Sequence, residues 1–185
     1  MIDGLDGLAA GIILLAIIGL ICFNLTPKFS PITCILLATA SALLPFIIFN
    51  IASYTKFKVF LGDGGSLFLG YIISWALIYS AENINNFTPS FALWCVAIPL
   101  FDFFTVIIMR IVRKQSLMIA RKDHIHHCLE NLGFSKQIIL LLTVSSGLAI
   151  LLIGSFIENN FPALSFSVFL TLFLLYLFIR MYNKS

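Results

Sequence analysis

From Gln137 to Ile157 the chain reads QIILLLTVSSGLAILLIGSFI, without one charged residue. A helix needs ~20 such residues to cross a ~30 Å hydrocarbon layer. Runs of this kind recur, and six spans are expected, at about 8–25, 31–52, 66–81, 91–109, 137–157 and 162–180. The whole chain is 61% hydrophobic and 10% charged, whereas soluble domains carry about 25% charged residues. It is therefore an integral membrane protein. No strand-like alternation is present, so helices are the only spanning solution. The expected fold is all-α, a single transmembrane helical bundle over residues 1–185 held together by helix–helix contacts.

Lys and Arg set the orientation. With a cytoplasmic N-terminus, Lys56, Lys58, Arg110, Arg113, Lys114, Arg121, Lys122, Lys136, Arg180 and Lys184 all fall inside, and only Lys28 outside. That asymmetry predicts that both termini are cytoplasmic. The outer loops, Thr26–Ser30, Glu82–Ser90 and Glu158–Phe161, are too short to fold alone. The inner loops, Ser53–Gly65 and Arg110–Lys136, are longer, and the second holds all three histidines. Cys22, Cys34 and Cys95 fall in apolar spans and Cys128 in an inner loop, which reads as packing and not as a disulfide framework. The start has no basic n-region, so no cleavable signal is expected.

Three polar motifs share the inner side. The first is Asp3-Gly4-Leu5-Asp6-Gly7-Leu8, with two carboxylates at the opening of the first helix. One Asp there reads as ordinary capping; two, each followed by Gly, point to a functional pair. The second is Phe60-Leu61-Gly62-Asp63-Gly64-Gly65-Ser66, expected as a glycine-rich turn with Ser66 opening a helix. Free N–H groups there suit an anion. Asp63 would repel a phosphate, and a divalent cation between them resolves the conflict. The bland alternative is a tight capped turn. The third is Arg121-Lys122-Asp123-His124-Ile125-His126-His127-Cys128. Its cationic side chains and imidazoles suit phosphate or nucleotide oxygens. The competing readings are a solvated basic face and a zinc site, the latter lacking a second ligand pair. Asp102 lies inside the fourth span after Pro99-Leu100-Phe101 and needs a partner, Arg110 or Arg113 being the candidates, or a chemical role.

At these residues the chain resembles the polyprenyl-phosphate N-acetylhexosamine-1-phosphate transferases (MraY/WecA-like, glycosyltransferase 4 type). Asp3–Leu8 matches the family's Asn-x-x-Asp-Gly-x-Asp-Gly-Leu motif, and Phe60–Gly70 its Phe-[Met/Leu]-Gly-Asp-x-Gly-Ser-Leu-x-Leu-Gly motif. Pro99–Asp102 resembles a Pro-Leu-x-Asp element. His124–His127 has the His-Ile-His-His form of the WecA-like branch, which starts O-antigen, common-antigen or teichoic-acid linkage units. The resemblance implies transfer of a sugar-1-phosphate from a UDP-N-acetylhexosamine to polyprenyl phosphate at the cytoplasmic face of a bacterial inner membrane. UMP is released, Mg²⁺ or Mn²⁺ is the cofactor, and no nucleic-acid partner is involved. It also implies roles. Asp63 and Asp3 would hold the metal, Asp3 and Asp6 would organise metal and phosphates, and Arg121, Lys122, His124, His126 and His127 would hold the nucleotide diphosphate. Phe60 would stack on uracil or anchor at the interface.

Family members are longer and carry an Asp-Asp pair in an earlier cytoplasmic loop, a pair that does not occur here. The family's Asn would fall before Met1. The chain is thus expected to be N-terminally truncated, inactive or impaired alone, and partnered by a missing N-terminal half. Two competing classes are a small proton-coupled transporter relaying through Asp102 and the histidines, and a non-catalytic remnant.

Overall fold

A computed structural model of the chain describes residues 5–24, 30–51, 58–83, 87–116 and 124–182. Among them are eight helices and no strand: α1 (Leu8–Asn24), α2 (Pro31–Ile51), α3 (Gly62–Asn83), α4 (Pro89–Cys95), α5 (Ala97–Val112), α6 (Ile125–Asn131), α7 (Lys136–Asn160) and α8 (Pro162–Tyr182). Proline opens α2, α4 and α8, where its missing N–H is one that the helix leaves unpaired in any case. Thr88 caps α4 by accepting from the Phe91 N–H at 3.1 Å, and Ser135 caps α7 by accepting from Ile138.

The bundle is built around α1, which packs on α2, α3, α4 and α7. Its Leu8, Ala10, Ala16, Ile17 and Leu20 are almost fully enclosed. α7 and α8 form a hairpin with Phe161 alone between them, and α4 wedges against α3, α7 and α8. Around this core, Leu44, Ile48, Leu67, Phe68, Leu141 and Phe178 are exposed. Apolar side chains on the outside of a helical bundle face lipid at no cost.

Four helices (α2, α3, α7 and α8) are long and apolar enough to cross a membrane, and five spans result if α4 and α5 are counted as one. The sixth expected span is α1, whose apolar stretch Leu8–Cys22 is shorter than the others. The expected continuous span 91–109 is broken at Val96, with an 84° bend between α4 and α5. The cause is Pro99. Its ring excludes a helical carbonyl four residues earlier, and Cys95 at that position is the last residue of α4. The next bond, from the Leu100 N–H to the Val96 carbonyl at 3.1 Å, restarts the helix.

Two other expectations are corrected. α3 begins at Gly62, so Asp63, Gly64, Gly65 and Ser66 form its first turn and not a loop before it. Glu158 is not in an outer loop but buried in the last turn of α7, where it accepts from the Thr88 hydroxyl and ties α7 to α4.

Candidate functional site

The best-defined polar constellation surrounds Asp102 on α5, which is 4% exposed. Its Oδ2 lies 2.7 Å from His124 Nδ1, and its Oδ1 accepts from the Ile125 N–H at 2.9 Å. Arg180 from the last turn of α8 places Nη2 3.9 Å from the same Oδ1. His124 and Arg180 are thus partners that the sequence did not suggest beside Arg110 and Arg113. His124 occupies the N-cap position of α6 with extended backbone and makes no capping bond of its own. Asp102 supplies that cap from another helix.

The three histidines sit together at the start of α6. The His124 and His126 rings are stacked 5.9 Å apart, and His126 and His127 are 4.1 Å apart. His126 is buried, and its Nε2 has no hydrogen-bond partner among the described residues. Burial first, and then the neighbouring His127 and His124, hold its pKa down to about 4, so it is neutral at physiological pH. His127 Nδ1 lies 3.1 Å from Glu130 Oε2, and this hydrogen bond keeps the Glu130 carboxyl below its ordinary range.

The first motif reaches α6 through packing. Leu5 and Leu8 are enclosed with Ile12 and Ile139, and Leu129 of α6 and Ile98 of α5 pack on the same cluster. The motif's Leu5 and Leu8 thereby share one cluster with Leu129 of the histidine helix. Gly7 is left-handed at φ +78°, and a Cβ there would meet Ile51 at 2.8 Å, so this turn requires glycine. Its N–H donates to Asn50 Oδ1, while Asn50 Nδ2 donates to the Val59 carbonyl at 2.7 Å. Buried Asn50 thus stitches the first motif to the approach of the second. It went unnoticed in the sequence, where the signal was an amide near the end of an apolar run.

Asp6 accepts from Lys58 Nζ at 2.6 Å, and that ammonium lies 5.1 Å from the centre of the exposed Phe60 ring. Asp6 also lines a recess of about 250 Å³ with Ser135, Lys136 and Gln137. Asp63 is exposed on the first turn of α3. Beside it, Ser66, Leu67 and Gly70 open an apolar groove of about 580 Å³ that passes Ile73 and Ala16 and ends at Val96 and Pro99. Asp3, Arg121 and Lys122 lie outside the described residues. Among the described residues no three His, Cys, Asp or Glu side chains gather as a metal site, zinc with Cys128 included.

Against this geometry the comparisons are specific. The family profile of glycosyl transferase family 4 matches residues 1–81. The undecaprenyl-phosphate alpha-N-acetylglucosaminyl 1-phosphate transferase of Escherichia coli (strain K12) is 33% identical over 153 residues, covering 80% of this chain and 41% of that protein. Its Yersinia pestis namesake is 30% identical over 95% of this chain and 50% of its own length. The probable undecaprenyl-phosphate N-acetylglucosaminyl 1-phosphate transferase of Bacillus subtilis (strain 168) is 33% identical over 97% of this chain and 48% of its own. The chain spans half or less of the length of these curated relatives. No solved structure matches it significantly.

Proposed function

The chain belongs to glycosyl transferase family 4, and from that premise we propose that it serves the transfer of N-acetylglucosamine-1-phosphate from a UDP-sugar to undecaprenyl phosphate at the cytoplasmic face of a bacterial inner membrane. A phosphate oxygen of the lipid would attack the sugar-bearing phosphorus of the donor. The bond from that phosphorus to the UMP oxygen breaks, and UMP leaves. The product, a polyprenyl-diphospho-sugar, would start a cell-envelope polysaccharide.

One observation supports the reading: Leu129 of the clamped histidine helix packs on the same cluster as Leu5 and Leu8, the leucines that flank Asp6. The attacking phosphate needs little base help, since its second pKa is ~6. The barrier is the meeting of two anions. His124, His126 and His127, with Arg121 and Lys122, would face the donor's diphosphate, and Phe60 its uracil. Asp6 would keep Lys58 oriented beside them. Asp63 is an exposed oxygen donor of the kind Mg²⁺ uses, one or two carboxylates completed by phosphate oxygens. With Asp3 it would hold Mg²⁺ or Mn²⁺, whose chemistry there is neutralisation of phosphate charge. The groove leading from Ser66 is apolar enough for the prenyl tail, leaving its phosphate near Asp63. A carrier using Asp102 as a relay is disfavoured, because that carboxylate is already engaged by His124, Ile125 and Arg180.

The test is UMP release in proteoliposomes holding the chain, UDP-N-acetylglucosamine, undecaprenyl phosphate and Mg²⁺. The assay is run with and without the N-terminal half of a full-length relative supplied as a separate polypeptide. Release in either format that disappears in Asp63→Ala supports the proposal. Release in neither, or release indifferent to Asp63, rejects it.

A further inference from the structure

We infer that Asp102 is the positioning residue of the histidine helix: it sets which nitrogen of His124 carries the proton and thereby which nitrogen faces the substrate. An ionised carboxylate only accepts hydrogen bonds. With Oδ2 2.7 Å from Nδ1, the hydrogen between them sits on Nδ1, and Nε2 is the atom left to point away from α5. The other oxygen accepts the Ile125 N–H at 2.9 Å, so backbone and ring of the same short segment are fixed by one side chain. Arg180, carried by α8, places Nη2 3.9 Å from the same oxygen and ties a third segment to the pair. The side chains of the pair are both well covered, Asp102 at 6% and His124 at 14% exposure, so water competes little for the bond.

Three segments far apart in the chain meet here: α5, the start of α6 and the end of α8. His124 and His126 are stacked with only 6° between their planes, so the tilt imposed on one ring is passed to the next. Outer partners of metal-ligating histidines change affinity or activity by about 10–100-fold when altered, and an effect of the same order is expected for the partner of His124. What His124 Nε2 touches rests on the nucleotide reading above, whereas the positioning itself does not.

Asp102→Asn separates capping from positioning. Its Oδ1 still accepts the Ile125 N–H, but its amide now offers a donor to Nδ1 and forces the proton to Nε2. The measurement is ¹⁵N-histidine NMR of the full chain in nanodiscs, with the His124 resonances identified by their loss in His124→Gln. UDP affinity is measured alongside. The wild type should show Nδ1 protonated, Asp102→Asn should move the proton to Nε2, and Asp102→Glu should keep the wild-type pattern. UDP affinity should fall about 10–100-fold in Asp102→Asn. It should change by less than roughly twofold when the same substitution is made in His124→Gln, since the two residues act as one unit. A wild-type His124 bearing no proton on Nδ1 overturns the inference, and needs no variant of Asp102 to fold. An equal loss of UDP affinity in both backgrounds also overturns it, reducing Asp102 to a cap. A tautomer that switches as expected in a chain without UDP affinity upholds the positioning and rejects the nucleotide reading.

Discussion

His126 shows what one enclosed imidazole does to a loop outside the membrane. Its pKa falls from 6.5 to about 4, mainly through burial. Between those values the unfolded chain takes up a proton that the folded one refuses. Stability is therefore full above pH 6.5, declines on acidification, and stops declining on this account below about 4. Glu130 acts in the same sense but lower: its hydrogen bond with His127 contributes above 4.5 and is lost as pH falls through its depressed value. The interval from 6.5 to 4.5 therefore belongs to His126 alone of the two. Thermal unfolding in nanodiscs should lose midpoint across it, and His126→Gln should flatten that slope. An unchanged slope in the variant would place the titration elsewhere. The sequence marked these histidines as a cluster but could not show which was buried, because burial here depends on α6 lying against α5 and α7. Asp102 was equally visible as a carboxylate needing a partner. Its partners were not, since His124 and Arg180 lie 22 and 78 positions away.

Among the elements, the break between α4 and α5 was readable in principle, because Pro99 forbids the helical carbonyl of Cys95. The start of α3 lies earlier than its composition suggests: Gly64 and Gly65 are poor helix formers, yet they sit in its first turn. Helix partners were not readable at all. In a bilayer the lipid-facing and the packed faces are both apolar, so hydrophobic periodicity carries little information. Small residues mark the contacts only once the structure is known. Gly154 of α7 is the sharpest instance: an added Cβ would lie 2.4 Å from Trp94 of α4. Trp94 has nowhere to go, being 1% exposed, donating to Ser165 Oγ at 3.0 Å, and edge-on to Phe169. Gly154→Ala should destabilise the bundle by about 1–3 kcal/mol. Gly70 on α3 meets nothing within 4 Å, and Gly70→Ala should be neutral or stabilising by up to ~1 kcal/mol. Paired melts of the two variants check the claim; equal effects would mean that α4 and α7 do not meet at Gly154.

At the scale of the whole molecule, the polar groups sort to two ends in a way that composition alone could not reveal. One end joins Asp102, His124 and Arg180, and Asp6 with Lys58. The other holds buried Glu158, which accepts from half-buried Thr88. The α7–α8 hairpin ties these ends to one axis: it leaves from Lys136, turns at Phe161 and returns to Arg180. Its basic residues therefore share an end with the histidine helix, and the proposal that this end faces the cytoplasm rests on the bias of Lys and Arg toward that side. Asn131 closes α6 and Asn159 lies in the last turn of α7, and both are exposed. In a cysteine-free background, Asn159→Cys should react with a membrane-impermeant maleimide added to intact cells. Asn131→Cys should react only in inverted vesicles. The reverse pattern would turn the histidine helix away from the compartment that supplies UDP-sugars. Asp102 would still clamp His124, but the constellation would have no nucleotide to meet, and the transferase proposal would fail on topology before any assay of its chemistry.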